Sequence, residues 1–154
     1  MIHMRVKRLS ELAQLPRRGS DGAAAYDLSA AVETSVVIEP SSSAIVPIGI
    51  AIEVPRGFVA LIFSRSGQGF RHQVSLSNSV GVIDSDYRGE IKICLINHGP
   101  SPFVVQPGDR VAQMLLTKAL ELELVDSEQL SQTGRAEGGF GSTGNQQIIQ
   151  TGTE

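Results

Sequence analysis

Apolar and polar residues alternate with a period of two through much of the chain, the signature of strands that bury one face. Ala44, Val46, Ile48, Ile50, Ile52 and Val54 fall on one side of segment 44–54, which predicts a strand, and Pro47 places it at a sheet edge or bulge. Glu90 to Asn97 alternates more cleanly, with Ile91, Ile93 and Leu95 facing one way and Glu90 and Lys92 the other. Further strands are predicted over Val36 to Glu39, Phe58 to Phe63, Val74 to Ile83, Phe103 to Val105, Arg110 to Thr117 and Leu120 to Val125. Turn-forming clusters separate them: Pro55-Arg56-Gly57, Asp84-Ser85-Asp86, His98-Gly99-Pro100 and Pro107-Gly108-Asp109. Helical character is confined to a short turn around Ser64 to Phe70 and a weakly amphipathic stretch near Leu9 to Leu15. The expected fold is all-β, a sandwich or barrel.

The pattern stops at Ser131, where Gly, Ser, Thr and Gln take over and Gly134, Gly138, Gly139, Gly141 and Gly144 crowd together. Such a segment cannot bury enough apolar surface to fold alone. The expected organisation is one β domain over 1–130, a flexible glycine-rich C-terminal arm over 131–144 and a disordered tail over 145–154 to which no role is assigned. A chain of 154 residues suits a single domain. With 19% charged residues and a net charge of −3, it lacks the basic excess that binds polymeric nucleic acid. The single cysteine, Cys94, allows no internal disulfide and fits a reducing compartment. No stretch approaches the roughly 18 apolar residues of a membrane span, and Met1 to Leu9 has no secretory apolar block, so no membrane contact and a cytoplasmic location are expected.

Several residues ask for an explanation beyond packing. On a continuous 74–83 strand, Asn78 shares a face with Leu76 and Val80, where an unpaired amide costs roughly 1–3 kcal/mol. Its partner is either a neighbouring turn or the edge of a bound base or sugar. Gln113, between Val111 and Leu115, is satisfied either by backbone groups or by a ligand. The turn from Asp84 to Gly89 reads as a solvated hairpin loop, or as a rigid strand end that presents a general base beside the flat ring of Tyr87. Ser64-Arg65-Ser66-Gly67-Gln68-Gly69 combines a cation, hydroxyls and glycine amides that can hold phosphate oxygens, though it is no Walker loop. The arm reads as a linker, or, since Phe140 stands among glycines in a chain with 5% aromatics, as a segment that orders on a ligand.

Five segments, in order, resemble the homotrimeric deoxyuridine triphosphate nucleotidohydrolases, the dUTPases: Ala24 to Leu28, Arg65 to Gly67, Asn78 to Gly89, Gly108 to Gln113, and Arg135 to Gly144. The resemblance implies a distorted jelly-roll β-barrel, a homotrimer with active sites at subunit boundaries, and hydrolysis of deoxyuridine triphosphate (dUTP) to the monophosphate (dUMP) and pyrophosphate. That reaction limits uracil incorporation into DNA and supplies dUMP for thymidylate synthesis. It further implies that a hairpin grips uracil through Asn78 and backbone groups around Gly81 and Ile83, with Tyr87 beneath the deoxyribose. Asp84 matches the carboxylate that polarises a water for attack on the α-phosphorus. Ser66, Gly67 and Gln113 match phosphate-binding positions, Arg65 lies in the same segment, and Lys92 belongs to the substrate-binding set. The implied cofactor is Mg2+, carried by the triphosphate with no direct protein ligand and reached by Asp27 through water. In the arm, Phe140 is implied to cover uracil, with Arg135, Ser142 and Thr143 near the γ-phosphate and Gly141 among the substrate-binding residues.

The sequence departs from the family pattern at Ser64, where Pro is usual, and at Ala25, where Gly is common. Neither removes a reacting group. Three other readings compete: a deoxycytidine triphosphate deaminase of related architecture, against which Tyr87 and the Phe140 arm argue; a non-catalytic nucleotide sensor, against which Asp84, Arg65 and Gln113 argue; and a plain β-sandwich interaction module.

Overall fold

The computed structural model describes residues 2–140 and 142. In chain order the strands are β1 (Arg5–Arg8), β2 (Arg17–Arg18), β3 (Tyr26–Ser29), β4 (Val36–Ile38), β5 (Ser43–Pro47), β6 (Ile50–Glu53) and β7 (Phe58–Phe63). A short helix, α1 (Ser66–His72), follows, and then β8 (Val74–Leu76), β9 (Val80–Ile83), β10 (Lys92–Asn97), β11 (Phe103–Val105) and β12 (Arg110–Lys118). Among the described residues all strand pairs are antiparallel. They form a five-stranded sheet, β2-β3-β12-β7-β9, a three-stranded sheet, β5-β10-β8, and two ribbons, β1-β6 and β11-β4.

The alternation predicted for 90–97 is realised: Ile91, Ile93 and Leu95 are buried while Lys92 is exposed. Register Ile93↔Val46 and Leu95↔Ala44 turns the apolar faces of β10 and β5 onto the same core. Each fully buried Val, Leu or Ile there stabilises the fold by about 1.5–3 kcal/mol. β5 is an edge strand, as Pro47 suggested.

Segment 44–54 keeps its buried period but not its continuity. It divides into β5 and β6, which belong to different sheets, at Gly49, whose φ of +67° only glycine adopts readily. A Cβ on Gly49 would lie 2.9 Å from Cβ of Ala31 and 3.1 Å from Cβ of Ala13, so the core closes directly over the switch.

The expected strand 74–83 is likewise two strands. Ser79, at φ +61°, turns the chain between β8 and β9, and these pair with β10 and β7 respectively. Leu76 and Val80 therefore do not share a face: they are 4% and 37% exposed. The expected strand over Leu120 to Val125 does not form, because its backbone finds no ladder to join; Leu120, Leu122, Leu124 and Val125 are all exposed. Leu9 to Leu15 holds turns rather than helix. The short strands β1, β2 and β3 were not foreseen, since their polar residues mask the period.

The chain divides into two compact units between Glu121 and Leu122. Among the described residues, every strand and the helix lie in the first. The described part of the second contains turns, closed by bonds such as Gly138 N–H to Arg135 O (2.9 Å).

Asn97 is the fully buried polar side chain of the first unit's core. Its amide donates to the carbonyls of Ile38 (2.9 Å) and Ser101 (2.8 Å), and its Oδ1 accepts from the Gly99 amide (2.9 Å), which ties β4 and the β10-β11 connection to β10. Asn97→Leu leaves three backbone groups without these partners, two of them, at Ile38 and Gly99, in buried bonds. We expect it to lower stability by at least about 2 kcal/mol, read as a reduced urea midpoint at unchanged slope.

Candidate functional site

Between β7 and α1 the chain passes through Ser64 and Arg65. Arg65 is the extended N-cap residue of α1, so the amides of Ser66 and Gly67 that follow have no acceptor within the helix. Three side-chain bonds fasten this loop to β12. Gln113 Nε2 donates to Ser64 O (2.8 Å), while Arg65 Nη1 (3.3 Å) and Gln68 Nε2 (3.1 Å) both donate to Arg110 O. Gln113 thus takes the backbone-satisfied option left open by the sequence, although its Oε1 accepts nothing among the described residues. Ser64 has a use of its own, because its Oγ accepts from the Leu76 amide (2.8 Å) at the end of β8.

Asp27, opposite Gln113 in the β3-β12 register, centres the cluster. Its Oδ1 accepts from Arg65 Nε and its Oδ2 from Arg110 Nη1, each at 3.0 Å, and its side chain is only 17% exposed. A part-buried carboxylate shared by two guanidinium groups is costly to break and leaves net positive charge in front of the loop. Arg110 and Gln68 were not among the sequence candidates. Both sat inside quoted segments, but nothing in the sequence signalled that their side chains meet at Arg110 O and Asp27.

The second cluster surrounds β9. Asn78 lies in the exposed turn before it, not on an apolar strand face. The buried-amide argument for a ligand therefore fails, because Asn78 is free to meet water. Past Ile83 the chain turns through Asp84 to Gly89, braced by Tyr87 N–H to Asp84 O (3.2 Å) and by Arg88 Nη1 to Ser85 O (2.7 Å) and Tyr87 O (2.9 Å). Tyr87 Oη donates to Glu90 O (3.1 Å). Glu90, read in the sequence only as part of the polar face of a strand, accepts from the Gly49 amide (3.2 Å) and faces Lys92 (3.9 Å). The Asp84 carboxylate is exposed and takes part in no hydrogen bond or ion pair among the described residues.

These residues line three separate surface concavities. Ser64, Arg65, Ser66, Gly69, Phe70 and Gln113 form one, and Ile83, Tyr87, Glu90, Ile91 and Lys92 a second. Asp84 borders a third with Val82, Arg88 and the β6-β7 turn. Within one chain, then, the candidate base, the Tyr87 surface and the phosphate-type loop do not meet in one pocket. In the second unit, Phe140 is fully exposed and Arg135 Nε donates to Gly138 O (2.6 Å). Ser142 lies in a turn; Gly141 and Thr143 lie outside the described residues, as does the tail 145–154. No three carboxylate, imidazole or thiol groups converge among the described residues.

The sequence matches the dUTPase family model over residues 11–144. The chain belongs to the dUTPase family. A deoxyuridine 5'-triphosphate nucleotidohydrolase of Syntrophotalea carbinolica is 46% identical over 143 residues, spanning 93% of this chain and 97% of the relative. Among solved structures, a Staphylococcus bacteriophage 80alpha dUTPase bound to dUpNHpp superimposes with a TM-score of 0.86 at 27% identity, over 94% of this chain and all of that one. A mutant dUTPase of phage phi11 of S. aureus, studied for its structural Mg(II) ion, has a TM-score of 0.75 at 25% identity, over 83% of this chain and 98% of that one. The antiparallel sheets of the first unit are those of the dUTPase jelly roll.

Proposed function

We propose that the chain hydrolyses dUTP to dUMP and pyrophosphate, and that the site is completed by residues of neighbouring copies in a homotrimer. The reading is carried by the state of the carboxylates. Asp27 is tied to two arginines and Glu90 to Gly49 and Lys92, whereas the Asp84 carboxylate, at the rigid end of β9, has no partner among the described residues and is able to accept a proton. That Asp84, Tyr87 and the Arg65 loop occupy separate concavities of one chain supports a site shared between subunits.

In this reading Asp84 takes a proton from a water aligned behind the α-phosphorus as the water's oxygen bonds to it and pyrophosphate leaves. The amides of Ser66 and Gly67, with Arg65 and Gln113, hold phosphate oxygens on the positive side of the Asp27 cluster. Asn78 and the backbone at Gly81 and Ile83 pair with the uracil edge, leaving no room for a thymine methyl and mismatching cytosine. Tyr87 lies under the deoxyribose and closes the space a 2′-hydroxyl needs; fixed groups that a wrong ligand leaves unmatched make its rejection strong. Lys92 adds positive charge at the rim of the Tyr87 surface.

The donor set fits magnesium delivered by the triphosphate. Both oxygens of Asp27 already accept from guanidinium groups, and their remaining lone pairs suit a water rather than direct ligation. When bound, the ion neutralises phosphate charge. The arm over 131–144 would order on the nucleotide, with Phe140 on uracil and Arg135, Gly141, Ser142 and Thr143 at the γ-phosphate, excluding bulk water. No helix among the described residues is long and apolar enough to cross a membrane, and we assign the reaction to the cytoplasm, where it removes dUTP before DNA synthesis and yields dUMP for thymidylate.

One assay tests this reading. Purified protein with magnesium is offered each deoxynucleoside triphosphate while pyrophosphate and ammonia are followed. Pyrophosphate from dUTP alone is expected. Ammonia from the cytosine nucleotide would instead make the chain a deaminase, and binding without products would make it a sensor.

A further inference from the structure

Gly89 presents a puzzle that backbone geometry does not solve. Its φ lies outside the left-handed region occupied by Gly49, Gly57 and Gly108, so the turn itself does not require glycine. A Cβ built on it, however, would lie 2.6 Å from Cζ and 3.0 Å from Cε2 of Tyr87, and closer still to Oη. Carbon atoms pack at about 3.5–4.0 Å. All three nearest atoms belong to the Tyr87 side chain.

We propose that Gly89 is a positioning residue for sugar selectivity: its missing side chain is the space in which the Tyr87 ring stands. This rests on the reading of Tyr87 given above. The bonds that brace the turn, from Tyr87 N–H to Asp84 O and from Arg88 to Ser85 O and Tyr87 O, involve no atom beyond Cα at position 89. Tyr87 is 44% exposed, and a single bond, Oη to Glu90 O, anchors its tip. A methyl group at 89 therefore moves the ring and breaks that bond, while the turn keeps its shape. With the ring displaced toward solvent, the space beneath the sugar opens and a ribose is admitted.

The test compares kcat/KM for dUTP and UTP, with magnesium, in the full chain and in Gly89→Ala, Tyr87→Ala and the double variant. Gly89→Ala is expected to lower the dUTP:UTP ratio by about 10- to 100-fold and to change it no further once Tyr87 is Ala. A folded Gly89→Ala with the wild-type ratio, or one that lowers the ratio equally without Tyr87, overturns the proposal while leaving Tyr87's role intact. If Tyr87→Ala keeps the wild-type ratio, the reading of Tyr87 fails and this inference with it. Should Gly89→Ala alone fail to fold, removing the ring must restore folding; a double variant that also fails to fold overturns the proposal.

Discussion

Asp84→Asn is expected to bind dUTP while hydrolysing it about 10²–10⁴-fold more slowly. The amide keeps the size and polarity of the carboxylate but cannot accept a proton at neutral pH. Because the Asp84 side chain makes no bond among the described residues, and its carbonyl, which braces the turn, is untouched by the change, the melting temperature should stay at the wild-type value. Single-turnover hydrolysis, with binding of a non-hydrolysable dUTP analogue measured in parallel, separates the two effects. Asp86→Asn, two residues on in the exposed turn, is the matched control and should keep wild-type rates. Full turnover by the Asp84 variant would mean that another group activates the water.

Deleting Gly134 to Glu154 is expected to leave the barrel folded and the assembly unchanged while lowering kcat/KM by about 10²-fold or more. The strands and the core all lie before this segment, and the fully exposed ring of Phe140 adds nothing to the burial that holds them. What the truncation removes is closure over the bound nucleotide. Circular dichroism and sedimentation report the first half of the expectation and steady-state rates the second. A truncated chain that works at full speed would return the segment to the status of a linker.

The sequence disclosed faces better than it disclosed breaks. β10 was legible because its period runs uninterrupted between turn residues and its buried set is purely aliphatic, apart from Asn97. The breaks at Gly49 and Ser79 were hidden because the alternation continues through them: each lies where the chain leaves one sheet for another, and that depends on partners far along the chain. Leu120 to Val125 carries a true strand pattern, yet a pattern states only what a strand would bury, and its ladder must come from elsewhere. The site divides in the same way. Asp84 and Tyr87 could be placed in a turn at a strand end from local turn chemistry alone, although that turn leads from β9 to β10 in another sheet rather than closing a hairpin. The Asp27 cluster could not, since its ion pairs join residues 38 and 83 positions apart and rest on the antiparallel register of β3 with β12.

The bare leucines at 120, 122 and 124 bear on how the molecule melts. If, in the proposed trimer, they are covered by neighbouring copies, denaturation separates subunits as well as unfolding them. The transition then obeys mass action, and its midpoint climbs with each dilution step reversed. Scanning calorimetry over a hundredfold range of protein concentration registers that drift, whereas a self-sufficient monomer would melt at one temperature throughout.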